Sequence, residues 1–157
     1  MTDLNDEQYR VLLVFRCALR QFLRWSGEQS RRFGLTEQQH QLLLTVRAHP
    51  GPRPPSIGEL ADYLLIRPHS AVELANRVEA AGLVTRVSDS EDQRVVRVTL
   101  TERGHELIEE LAGAHLDELE RVATRLSISQ DFLEVLSREF SVQLAGQPGS
   151  SPEDRGA

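Results

Sequence analysis

The sequence predicts a mainly α-helical fold with one small β-hairpin, on three observations. Apolar residues recur at spacings of three and four along most of the chain. Two capping boxes, Thr36 to Gln39 and Ser56 to Glu59, mark places where helices begin. Two short runs, 83–87 and 95–100, are instead rich in β-branched residues and flank a polar stretch.

The elements follow in order. Residues 7–30 contain no proline and one glycine, Gly27, and Leu12, Phe15, Leu19 and Phe22 form a stripe widened by Val11, Val14, Ala18 and Leu23. That is an amphipathic helix, ended by Gly34. Thr36 opens a second helix whose buried side is Leu42, Leu43 and Val46, stopped by His49-Pro50-Gly51. Four of the seven prolines lie in 50–55, which makes that connection stiff and extended. Ser56 starts a short helix running through Leu64. After about Leu65 to Arg67 another follows, with Pro68 at its first position, a last residue near Ala81 and Gly82 just beyond.

Two short helices so close together outline a helix-turn-helix. The hairpin comes next: Leu83 to Val87 and Val95 to Leu100 are strands, and Ser88 to Arg94 is the charged tip. Thr101 caps a long helix in which Ile108, Ala112, His115, Leu119, Val122 and Leu126 are spaced as a seam that meets another helix. A last helix is expected from near Ser129, burying Phe132, Leu133, Leu136 and Phe140, and 146–157 reads as a disordered tail. The whole is a winged helix-turn-helix between N- and C-terminal helices. The expected divisions are 1–34, an N-terminal helix; 35–100, the winged helix-turn-helix; 101–145, C-terminal dimerisation helices; and 146–157, the tail.

Composition narrows the function. At 157 residues with 39% hydrophobic and 27% charged content, the chain has the makeup of one soluble globular domain with or without an extension. No apolar run approaches the length that spans a bilayer, and the polar, acidic start from Met1 to Glu7 is neither a signal nor a transit peptide. Cys17 is the single cysteine, which excludes an intramolecular disulfide framework and a cysteine-cluster zinc site. A cytoplasmic location is expected. No nucleophile elbow, phosphate-binding glycine loop or placed acid pair is present, so neither an enzyme nor a cofactor is expected.

The formal charge of −6 would argue against a polyanion binder if it were evenly spread. It is not. Residues 1–52 carry 7 Arg against 5 acids, 53–97 carry 6 against 7, and 98–157 carry 5 against 12. The acidity belongs to the C-terminal helices and tail, and all 18 cationic side chains are arginine.

An α-helix fits the major groove of B-DNA, where base edges present distinguishable donors and acceptors. On the helix from Pro68, Ala71, Leu74, Ala75 and Val78 form the inward face, while His69, Ser70, Glu73 and Arg77 face outward with Val72 at the edge. His69 and Ser70 can bond bases or phosphates, Glu73 can accept from a cytosine amino group, and Arg77 suits a phosphate. At the hairpin tip, Arg94 stands among Asp89, Glu91 and Asp92. A wing arginine can enter the narrow minor groove. Asp89 and Asp92 would orient Arg94 or Arg86 through bidentate pairs. A solvated helix face and a surface ion-pair cluster are the plainer readings of the same residues.

Ile57 to Ala61, Gly82 to Arg86, Asp89, Asp92-Gln93-Arg94 and Val98 to Gly104 resemble the MarR (multiple-antibiotic-resistance regulator) family, as does Leu35-Thr36 with Gln39. The motifs cover Leu35 to Gly104, and the flanking helices are similar by pattern. The resemblance implies a homodimer with two winged lobes on a pseudo-palindromic operator in double-stranded DNA, repressing transcription until a small molecule or oxidation releases it. By position, His69, Ser70, Glu73 and Arg77 match recognition-helix contacts and Arg94 matches the wing arginine. Glu73 departs from the basic or small polar residue common there. The long seam independently asks for a partner helix, since one lobe cannot cover it.

For an effector, the resemblance points to a small aromatic or anionic compound in the cleft near His40, with Arg16, Arg20 and Trp25 as further candidates. A hydrogen-bonded core histidine is the plainer reading of His40. Cys17 is expected as a buried thiol, with a redox sensor as the alternative. The five histidines, 40, 49, 69, 105 and 115, form no ligand pair on one helix face beyond His105 with Glu109, so no metal is expected. The rival to DNA binding is a winged-helix module for protein contacts, favoured by Glu73 and the acidic wing and opposed by Arg86, Arg94 and Arg97.

Overall fold

A computed structural model describes residues 5–126. The helix expected from Ser129 and the tail 146–157 lie outside the described residues. Five helices and one hairpin follow in sequence: α1 Asp6–Arg32, α2 Glu37–Ala48, α3 Ile57–Leu64, α4 Pro68–Ala80, β1 Val84–Ser88, β2 Val96–Leu100 and α5 Glu102–Arg125. Both predicted capping boxes form, at Thr36 and Ser56, and a third, Asn5 with Gln8, starts α1. Thr101 caps α5 through the Gly104 amide.

The core sits where α2, α3, α4, the hairpin and the start of α5 converge. Leu42, Leu43, Leu60, Leu74, Val78, Val98, Ile108 and Leu111 are all but sealed from solvent. Each such side chain stabilises the fold by roughly 1.5–3 kcal/mol. That packing holds α3, only 8 residues long, which would not persist alone. Val46 is half-buried at the edge of this cluster.

Two local solutions position the lobe. The turn between α3 and α4 places Leu65 in the left-handed region, φ 53°, without a glycine. The Leu65 and Ile66 amides close on Asp62 and Ala61, so Ile66 packs toward the core while Leu65 is 92% exposed. Holding Leu there costs about 1 kcal/mol. The proline-rich connection, for its part, is tied to the wing. β1 and β2 pair antiparallel from Val84↔Leu100 to Ser88↔Val96, and the other edge of β2 meets the connection at Ser56↔Arg97. There the Val98 amide donates to the Pro55 carbonyl at 2.9 Å.

α1 contributes little to this core. Only Gly27 and Ser30 are buried on it, and Leu12, Phe15 and Leu19 remain 53%, 53% and 46% exposed. On α5 the seam begins buried at Ile108, with Leu111 and Ala123 also buried, and Leu119 stands open. No described helix is long and apolar enough to cross a membrane.

Candidate nucleic-acid interface

The face of α4 is set by its other side. Ala71, Leu74, Ala75 and Val78 are buried as predicted, which turns His69, Glu73 and Arg77 to solvent, with Ser70 half-buried and Val72 40% exposed. Four of the five described helices start with a side-chain cap, but α4 starts at Arg67 with none and has no acid in its first turn. Pro68 removes one orphan N–H, and the others at this end are left to an outside acceptor.

The wing carries Arg94 at its tip, 92% exposed. Its Nε and Nη2 donate to Asp92 Oδ1 and Oδ2 at 3.1 and 3.3 Å, and its backbone N–H also donates to Asp92. The fork holds the guanidinium in one orientation at the tip, and Arg94 holds the Asp92 carboxyl below the usual carboxylate range. Asp92 is thus the hydrogen-bond partner of the Arg94 guanidinium.

Asp89 does something else. It is buried, and its carboxylate binds Arg97 through Nε, Arg53 at 3.3 Å and the amides of Glu91 and Asp92. Arg97 and those amides hold its carboxyl far below the ordinary range. Arg97 also donates to the Pro54 carbonyl at 2.7 Å and meets Glu59 at 3.6 Å. Asp89 thus fixes the wing base to the proline connection and α3 rather than orienting Arg94 or Arg86. Arg86 differs from expectation too. Half-buried, it binds Glu79 of α4 through Nη2 at 2.7 Å and Nε at 2.8 Å, and its own amide donates to the same carboxylate. Its guanidinium locks β1 to α4 and is not held by a wing acid. Arg53, Glu59 and Glu79 were invisible as partners in the sequence because 36 residues separate Arg53 from Asp89 and helix exposure hides pairing.

His40 is buried where α1, α2 and α5 meet, and it lines a cavity of about 220 Å³ together with Leu23, Ser26, Glu37, Leu64 and Leu74. Ser30 Oγ donates to the Ser26 carbonyl at 2.9 Å, so it accepts from His40 Nδ1 at 3.2 Å. His40 Nε2 is left as an acceptor. Burial, with His115 beside it, lowers the pKa of His40 to about 4. A neutral acceptor suits a hydroxyl donor. Trp25 stacks edge-on against His115 with centroids 5.0 Å apart. Arg16 and Arg20 are exposed on α1 and do not line this cavity. Cys17 is also exposed in the single chain, contrary to the expected buried thiol, at a cavity between α1 and the end of α5 lined by Val14, Ala18, Val122 and Leu126. No group of three or more His, Cys, Asp or Glu is arranged for a metal among the described residues.

A helix-turn-helix whose second helix presents an uncapped N-terminus is thus followed by a hairpin with an arginine at its tip. Residues 33–95, the same lobe, match the MarR family. The HTH-type transcriptional repressor MdtR of Bacillus subtilis is 25% identical over 118 residues, covering 75% of this chain and 68% of MdtR. Two solved structures share the fold. A MepR mutant of S. aureus bound to an oligodeoxyribonucleotide has a TM-score of 0.60 and 20% identity, over 85% of this chain and 94% of MepR. NadR in complex with 4-hydroxyphenylacetate has a TM-score of 0.68 and 20% identity, over 94% of this chain and 98% of NadR.

Proposed function

We propose that this protein is a MarR-type regulator: a dimeric, sequence-specific DNA-binding regulator of transcription, a repressor released by a small molecule, working in the cytoplasm and without enzymatic activity. The observation that carries the reading is the pairing, on one lobe, of an uncapped α4 with a polar outer face and an Arg94 aimed from the wing tip by Asp92. One reads the major groove while the other enters the minor groove beside it. His69, Ser70, Glu73 and Arg77 belong to the α4 contact surface. The family match and the repressor MdtR support it.

A second copy would cover the open stripe of α1 and the seam of α5 and set two α4 helices on one face of a pseudo-palindromic operator. The His40 cavity adjoins Leu74 of α4 and Leu64 at the end of α3, so a compound seated there acts on the recognition helix directly. NadR binds 4-hydroxyphenylacetate. A small aromatic effector with a hydroxyl donor is the class that fits His40 Nε2.

The test is an electrophoretic mobility scan of DNA flanking the gene at low salt. A discrete shifted band that weakens with salt is expected, and no shift of any fragment would favour a winged-helix module for protein contacts.

A further inference from the structure

The outer edge of α4 is set by the angle of each side chain about the helix axis. With successive residues about 100° apart and Ala71, Leu74, Ala75 and Val78 inward, the side chains pointing furthest from the core are His69, Glu73 and Asn76. All three are exposed, Val72 flanks them at 40% exposure, and Ser70 lies nearer the core. Positions 69, 72, 73 and 76 are spaced i, i+3, i+4, i+7, which is one continuous stripe. A recognition helix lying along the major groove reads bases with that spacing. From His69 to Asn76 the helix rises about 10 Å, or about three base pairs.

The chemistry along the stripe is uncommitted. Glu79, one turn further, is taken by Arg86, but the side chains of His69, Glu73 and Asn76 have no hydrogen-bond or ion-pair partner among the described residues. We infer that Asn76 is a specificity-determining residue that reads adenine, in a stripe where Glu73 reads cytosine and Val72 meets a thymine methyl group. The inference rests on α4 being the recognition helix. A carboxamide offers a donor and an acceptor in the spacing of adenine N6 and N7. Glu73 only accepts, so it takes the cytosine amino group and is repelled by guanine O6 and N7. Arg77 flanks the stripe on the side opposite Val72, as far from its outward direction as Val72 is, and its length suits a phosphate.

The experiment selects bound sequences from a random duplex library with the full chain, then repeats the selection with Asn76→Ala. The wild type is expected to fix an adenine in each half-site about one base pair from a cytosine. Asn76→Ala is expected to lose the adenine preference alone and to bind the selected site about tenfold or more weakly, with unchanged circular dichroism. Replacing the contacted thymine by uracil should weaken the wild type several-fold and leave Val72→Ala unaffected. An Asn76→Ala selection with the wild-type preference at every position overturns the inference. If binding still weakens in Arg94→Ala, only the inference falls. A wild type that binds no duplex overturns both the inference and the reading beneath it.

Discussion

The imidazole rings of His40 and His115 lie 4.5 Å apart, centroid to centroid, although one belongs to α2 and the other to α5. Both rings are held by hydrogen bonds. His40 Nδ1 donates to Ser30, while His115 Nδ1 donates to the Leu111 carbonyl at 2.7 Å and its Nε2 lies 2.8 Å from Ser26 Oγ. Through these hydrogen bonds the pair joins the long helices to the lobe.

Burial of His40, with His115 beside it, makes stability depend on pH. His40 falls from 6.5 to about 4 in the folded chain, so the unfolded chain takes up a proton at higher pH than the folded one. The stabilisation is complete above pH 6.5 and is lost as pH falls toward 4. It amounts to about 2–3 kcal/mol, read as the difference between wild type and His40→Leu in urea denaturation across that range. Parallel curves would remove His40 as the cause.

At the wing tip, Arg94→Ala is expected to weaken DNA binding and to lower the slope of log K against log salt by about one per lobe. Thermal stability should not change, because an exposed pair such as Arg94 with Asp92 contributes little. Equal slopes would take the wing out of the contact.

Asp89→Asn should separate placement from contact. It removes the anchor for Arg97 and Arg53 and loosens the wing base while retaining the Arg94 side chain itself. Both Tm and DNA affinity are expected to fall together, whereas Arg94→Ala lowers affinity alone. An unchanged Tm in Asp89→Asn would show that the network does not hold the wing.

Gly104 is predicted to tolerate no side chain. A Cβ there would strike the Leu83 backbone carbonyl, which already accepts the Thr101 amide at 3.0 Å and cannot swing aside. Gly104→Ala should cost about 1–3 kcal/mol despite the better helix propensity of alanine. A neutral or stabilising result in chemical denaturation would mean that α5 shifts freely against the hairpin.

Leu19→Glu tests the open face of α1. Leu19 is 46% exposed in the single chain, so the charge should leave the lobe folded. Sedimentation is expected to change from twice the 17.7 kDa chain mass to that mass, with loss of operator binding. A variant that stays dimeric would place the interface elsewhere.

What the sequence by itself determined is local. Capping boxes at Thr36 and Ser56, Pro68 at the head of α4, β-branched strands and the inward face of α4 each depend on residues within a turn or two, so periodicity and capping chemistry were enough. Asp92 with Arg94 was legible for the same reason. Only the tertiary structure decided that Asp89 anchors Arg97 and Arg53, that Glu79 takes Arg86, and that His40 meets His115. Nothing in spacing marks a partner on another element, since an arginine on a strand is equally free to face solvent, DNA or a carboxylate until packing brings one within reach. The same packing gave Leu65 a left-handed turn without glycine, because the closure of α3 onto α4 outweighs the local preference of one residue.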